Sequence, residues 1–126
     1  MRERASFPAE LRSAAAARRH AEAVLAAWGL DETREVVRLL VSELVVNAVL
    51  HAGSPAELTI RRLAGCIRVE VSDTSPERPA MREHSPTAPN GRGLLILDDL
   101  AQRWGVDVSA AGKTVWFELD VGTDGE

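Results

Sequence analysis

The chain is short of cysteine, of net positive charge and of long apolar runs, and each shortage narrows what it can be. Its single cysteine, Cys66, cannot form an internal disulfide. That residue reads as a small buried or half-buried side chain near a hairpin turn, in a reducing compartment. Fifteen Lys+Arg stand against 19 Asp+Glu, a formal net charge of −4. Such a balance argues against a general nucleic-acid binder, which needs a basic surface to replace counterions. No apolar run approaches the roughly 18–20 residues of a membrane-spanning helix. Met1 to Glu10 is charged and lacks the apolar core of a signal peptide. The expectation is a cytoplasmic protein with no nucleic-acid and no membrane partner. No internal repeat is present.

What is there is ordinary globular material. With 126 residues, 45% hydrophobic and 27% charged, the chain suits one domain with a two-layer core. Ser13 to Trp28 is alanine-rich and helix-favouring, with Gly29 as its stop. Arg12, Arg18, Arg19 and His20 make it locally basic, which reads as a solvated face or as a surface for an acidic partner. A second helix is predicted from about Glu32 to His51, capped by Asp31 and closed by Gly53 and Pro55. It is apolar almost all round, so it should be the most buried helix. Ala56 to Leu63 and Ile67 to Asp73 alternate apolar and polar residues about an Ala64-Gly65 turn, the pattern of an antiparallel hairpin. Strands near Trp104 to Val108 and Lys113 to Asp120 follow, turned at Ala111-Gly112. Phe7 is a candidate start for a short edge strand.

Within the second helix, Glu43, Asn47 and His51 recur every fourth residue. Four-residue steps advance only about 40° around a helix, so the three form one slowly drifting stripe. Val36, Leu40 and Leu50 share that face, while Arg34, Arg38 and Ser42 project elsewhere. A carboxylate and an amide on a core-facing stripe are costly unless something polar binds there. The strand alternation also places Asp73 on the face of Ile67, Val69 and Val71, although a strand-end aspartate can equally cap a turn.

From Thr74 to Asn90 periodicity is lost, with Pro76, Pro79, Pro86 and Pro89 breaking a polar run. A loop of that length in a compact domain is a functional lid or a disordered segment. It ends in Gly91-Arg92-Gly93, which opens a predicted third helix from Leu94 to about Arg103. Glycines at a helix start admit an anion to backbone N–H groups. Trp28, Trp104 and Trp116 read as packing residues and not as stacking platforms.

The order of these features resembles the GHKL ATPase superfamily, the ATP-binding fold shared by gyrase and histidine kinases, and within it the small anti-sigma-factor serine/threonine kinases. Glu43 to His51 is similar to the Glu-x-x-x-Asn-Ala-x-x-His box, Asp73 to the start of the first glycine box, and Gly91-Arg92-Gly93-Leu94 to the second. Gly112 to Phe117 resembles the last strand. The resemblance implies an α+β, two-layer sandwich: a mixed, mostly antiparallel sheet of Bergerat type, covered on one face by about three helices. It implies a single histidine-kinase-like ATPase domain over 1–126, with its core at about 7–119 and an ATP lid at about 74–92.

It further implies ATP and Mg²⁺ as cofactors. Asn47 would bind Mg²⁺, Glu43 would orient or deprotonate the attacking hydroxyl, and Asp73 would accept from the adenine amino group, with Thr114 in support. Gly91, Gly93 and Leu94 would shape the phosphate-facing lid end and Arg92 would meet a phosphate oxygen; His51 is either a ligand contact or a structural helix terminus. The partners implied are a sigma factor and a STAS-type anti-sigma-factor antagonist, with a homodimer as the assembly. In place of the family's Asp-x-Gly-x-Gly, this chain has Asp73-Thr74-Ser75-Pro76-Glu77. Three functions therefore stay open: a kinase acting on a serine or threonine of the antagonist, an ATP-responsive binding module without turnover, and an interaction domain whose pocket is dead.

Overall fold

The computed structural model describes residues 1–74 and 89–121, with the side chains of His51 and of residues 89–94 outside the description. Among the described residues, five strands form one sheet in the order β1-β2-β3-β5-β4. They are β1 Arg2–Phe7, β2 Ala56–Leu63, β3 Cys66–Asp73, β4 Arg103–Ser109 and β5 Gly112–Asp120. All four pairings are antiparallel, so the sheet is not mixed. Phe7 ends the first strand and does not begin it. Cys66 is buried as the first residue of β3.

Alternation along the strands divides the sheet into two unlike faces. Leu58, Ile60, Ile67, Val69, Val71, Val115, Phe117 and Leu119 point inward and are buried. On them pack the helices α1 (Ser13–Ala27), α2 (Arg34–Val46) and α3 (Pro89–Leu100). The opposite face carries charge. Arg68 reaches Glu70 at 2.7 Å and Glu118 at 2.9 Å, and Arg103 bonds Glu118 at 2.7 Å and Asp120 at 2.5 Å. The hydrogen bond from Arg103 draws the Glu118 carboxyl below its ordinary pKa; partial burial opposes this, and Arg68 adds to the lowering. Burial works against the Arg68 charge, yet Glu70 and Glu118 together still raise its pKa. The Arg68 guanidinium lies 4.1 Å from the centre of the Trp116 ring. Trp116 in turn crosses β4 at Gly105, where an added methyl would come within 2.8 Å of the indole.

The helices follow from composition and punctuation. In α1 the buried Ala14, Ala17, Ala21, Val24 and Leu25 recur at helical spacing, and their small size brings α1 close against α2. Gly29, at φ 73°, ends the helix. Its N–H donates to Ala26 O at 3.1 Å and that of Leu30 to Leu25 O at 2.9 Å, the paired bonds of a Schellman stop. The predicted second helix is three segments: a 3₁₀ turn at Asp31–Thr33, α2, and a π turn at Asn47–His51. Asp31 does not cap α2 with its side chain; it lies 3.9 Å from Arg34. The third helix begins at Pro89, earlier than predicted, and ends at Leu100. Among the described residues, no helix is long and apolar enough to cross a membrane.

Candidate functional site

The π turn carries the most informative side chain in the molecule. Asn47 is 9% exposed, and its Oδ1 and Nδ2 are both buried with no hydrogen-bond partner among the described residues. Its backbone is conventional on one side, since its N–H donates to Glu43 O. On the other, Asn47 O accepts from Ala52 N–H at 3.1 Å, the i+5 bond that widens the turn. Single π turns inserted in α-helices occur frequently at functional sites. Native structures satisfy the great majority of buried amides, so two orphaned atoms on one residue mark a place prepared for something else. A small hard cation with a phosphorylated ligand fits this donor set: the amide oxygen supplies one neutral ligand and the amide N–H₂ faces anionic oxygens. Among the described residues no group of three or more His, Cys, Asp or Glu could hold a metal.

Glu43 sits one turn earlier on α2, half-buried. The stripe runs along the margin of the buried face and not through its middle: Leu40 is fully buried, Val36 is half-buried and Leu50 is 53% exposed. Sequence reasoning had placed Leu50 facing the core with the others. A marginal position suits a ligand site, because it joins a desolvated wall to an open approach.

The π turn packs against β3 and α3, which carry the other candidate residues. Asp73 ends β3 on the inner face, as its parity requires. Directly opposite in the β3–β5 register stands Lys113, whose Nζ lies 2.8 Å from Asp73 Oδ2. The two side chains are only 5% (Asp73) and 7% (Lys113) exposed. Two further contacts fix this corner. Ser54, 2% exposed, accepts from Thr74 N–H at 2.9 Å, tying the chain just after the π turn to the residue after Asp73. Gly112, at φ 147°, passes so close to Asp73 that an added methyl would collide with the Asp73 carbonyl oxygen and come within 2.9 Å of Thr74 Cα. A cavity of about 250 Å³ opens here, lined by Asp73, Lys113, Gly112 and Val108 among others.

Thr114 lines the same cavity. It is offset by one residue from the inward Lys113, so it faces the charged side of the sheet, where its Oγ1 lies 2.7 Å from Ser72 Oγ. The structure thus pairs Asp73 with Lys113 and brings Thr114 to the same cavity from the outer side of β5. Gly91, Arg92, Gly93 and Leu94 lie inside the first turns of α3 and not before it. His51 ends the π turn; its side chain and those of residues 89–94 lie outside the description. Of the expected lid, residues 75–88 also lie outside the described residues.

Sequence reasoning missed Lys113 and Ser54. For Lys113 the signal was present: it alternates in phase with Val115, Phe117 and Leu119, and so must point inward. Ser54 carried no such signal, since only the fold shows that the loop after the π turn meets the end of β3.

Comparison with known proteins agrees with this arrangement. No curated protein matches the chain. The model of the histidine kinase-like ATPase domain matches residues 7–119, a span containing the stripe on α2 and its π turn, the Asp73 corner, the start of α3 and most of β5. The chain therefore belongs to the histidine kinase-like ATPase domain family, within the GHKL superfamily, whose ATP-dependent members act as kinases or ATPases.

Proposed function

We propose that the chain is an ATP-dependent regulatory kinase of the anti-sigma-factor type, transferring the γ-phosphoryl of ATP to a serine or threonine of an antagonist protein and so controlling a sigma factor. The observation that carries this reading is the pair of orphaned Asn47 amide atoms with Glu43 one turn away. Bound Mg²⁺·ATP would supply the transferable phosphoryl group and the charge neutralisation around it. The chain's own residues do the rest. Asn47 offers its amide oxygen to the cation. Glu43, a carboxylate at the open margin of α2, takes the proton of the attacking hydroxyl, a role worth roughly 10²–10⁴-fold in rate. The inner-face Asp73 and the buried wall behind it hold the base end.

A second reading has its own support. Lys113 already engages Asp73, and Ser75 and Glu77 stand where the family's first box carries its two glycines. Both features favour a module that binds nucleotide weakly and sequesters a partner without turnover.

One experiment separates the two. Purified chain is incubated with γ-labelled ATP, Mg²⁺ and a STAS-type antagonist from the same cell, and label on the antagonist is measured beside ATP affinity. Kinase activity is expected, falling at least about 10²-fold in Glu43→Ala while ATP affinity stays within about threefold. Tight ATP binding with no label on the antagonist selects the sequestering module. Undiminished transfer by Glu43→Ala removes the role given to Glu43.

A further inference from the structure

We infer that the groove between α1 and α2 is the docking surface for the antagonist protein, seating a segment that carries a carboxylate beside an apolar side chain; the inference rests on the kinase reading above. The basic residues around the start of α1 do not form one surface. Arg12 bonds Glu10 at 2.6 Å, and the His20 ring packs edge-on against Phe7 with centroids 6.2 Å apart. Arg18 instead reaches α2, where its Nη1 donates to Ser42 Oγ at 2.8 Å. Among the described residues no carboxylate comes within ion-pair distance of Arg18, so a neutral hydroxyl alone meets its charge. A half-buried arginine, held in place with its charge unanswered, suits a carboxylate arriving on another molecule.

A cavity of about 560 Å³ opens at this point, lined by Arg18, Glu35, Arg38, Leu39 and Ser42. Its parts are ordered along α2. Arg38 is already paired, 3.2 Å from Glu22 on α1. Leu39 is 42% exposed and gives the groove an apolar floor. Glu35 stands two helical turns before Ser42, about 10 Å away along the axis, and has no ion-pair partner among the described residues. The groove is thus positive at its Ser42 end, apolar in the middle and negative at its far end. Its complement is a protein segment acidic at one end and basic or neutral at the other, with an apolar side chain between. A uniformly anionic ligand, such as a nucleic-acid backbone, would meet Glu35. Position supports the assignment as well as charge. Ser42 immediately precedes Glu43, the carboxylate that takes the hydroxyl proton in the reading above, so a substrate protein gripped at Arg18 lies next to the place where its serine or threonine reacts.

The test titrates the STAS-type antagonist calorimetrically into the full chain, with Mg²⁺ and an ATP analogue that cannot transfer its phosphoryl group, and measures affinity for the analogue separately. Arg18→Glu is expected to weaken antagonist binding by at least about tenfold, the scale of an arginine hot spot, while affinity for the analogue stays within about threefold. Leu39→Asp, at an exposed position that tolerates a polar side chain in the free protein, should weaken the antagonist alone by a similar factor and serves if the Arg18 variant fails to fold. Antagonist affinity unchanged in both folded variants overturns the inference and leaves the kinase reading intact. A matching loss of affinity for the analogue shows that the groove only supports the fold, and overturns it too. A parent dimer that Arg18→Glu dissociates in sedimentation, with antagonist binding unaffected, gives the groove to a second copy of the chain and likewise overturns it. A parent that binds the analogue but no antagonist removes the proposed substrate, and this inference with it.

Discussion

Replacing Asn47 by alanine separates function from stability in a way that truncating an ordinary buried polar residue does not. An unpaired buried amide costs about 1–3 kcal/mol, and both polar atoms of Asn47 are in that condition. Alanine deletes them, keeps the helical backbone and gains about 0.5 kcal/mol of helix propensity. Against this stand lost packing and a small void, together about 1 kcal/mol. The balance leaves the ligand-free variant between unchanged and about 2 kcal/mol more stable. Each kcal/mol moves Tm by roughly 3–6 °C in a domain of this size. Had the amide been satisfied, the same substitution would cost about 1–3 kcal/mol. Nucleotide reverses the ranking: at a hundredfold excess over Kd the parent gains about 2.7 kcal/mol from Mg·ATP, and the variant gains little. Urea denaturation and calorimetry with and without Mg·ATP measure both halves. A ligand-free loss above about 1 kcal/mol, or equal stabilisation of both proteins by Mg·ATP, refutes the reasoning.

Two further outcomes follow from the same geometry. Gly112→Ala forces a left-handed φ on a residue with a Cβ and drives that carbon into the Asp73 carbonyl; the urea midpoint should fall by the equivalent of about 1–3 kcal/mol or more, and an unchanged midpoint would contradict the close approach. Glu118 has a folded pKa below its ordinary 4.5, so its carboxylate contributes stability above that value and loses it as pH falls through the lower folded value. The difference in urea midpoint between parent and Glu118→Gln should therefore be constant from about pH 8 to pH 5 and shrink only in more acid solution; a difference that vanishes by pH 6 would mean that the Arg103 bond does not lower that pKa.

The sheet was largely legible because period-two alternation is a strong local signal. Ala56 to Leu63 was read with its observed bounds; β3 and β5 start one residue earlier than expected, and β4 extends one residue further at each end. The helix starts were less legible. Gly91-Arg92-Gly93 suggested a loop leading into a helix, yet Pro89 is already the first helical residue. Proline suits that position, since its missing N–H would have had no intrahelical partner there. The π turn was invisible, because whether Ala52 N–H bonds four or five residues back is decided by what the turn packs against. At the site, Glu43, Asn47 and Asp73 followed from periodicity and parity. Thr114 came from likeness to a motif and parity adds Lys113; both line the cavity beside Asp73.

The two ends of the site are built on opposite principles. At the proposed phosphate end, Asn47 has two buried polar atoms without a partner among the described residues. At the base end, Asp73 and Lys113 complete each other. A ligand gains most where it supplies what the protein lacks and least where it must compete with an internal partner of opposite charge. Under the proposed ATP-site reading, a nucleotide therefore gains most at its phosphates and cation. On this account a triphosphate without magnesium loses far more than a triphosphate with a changed base.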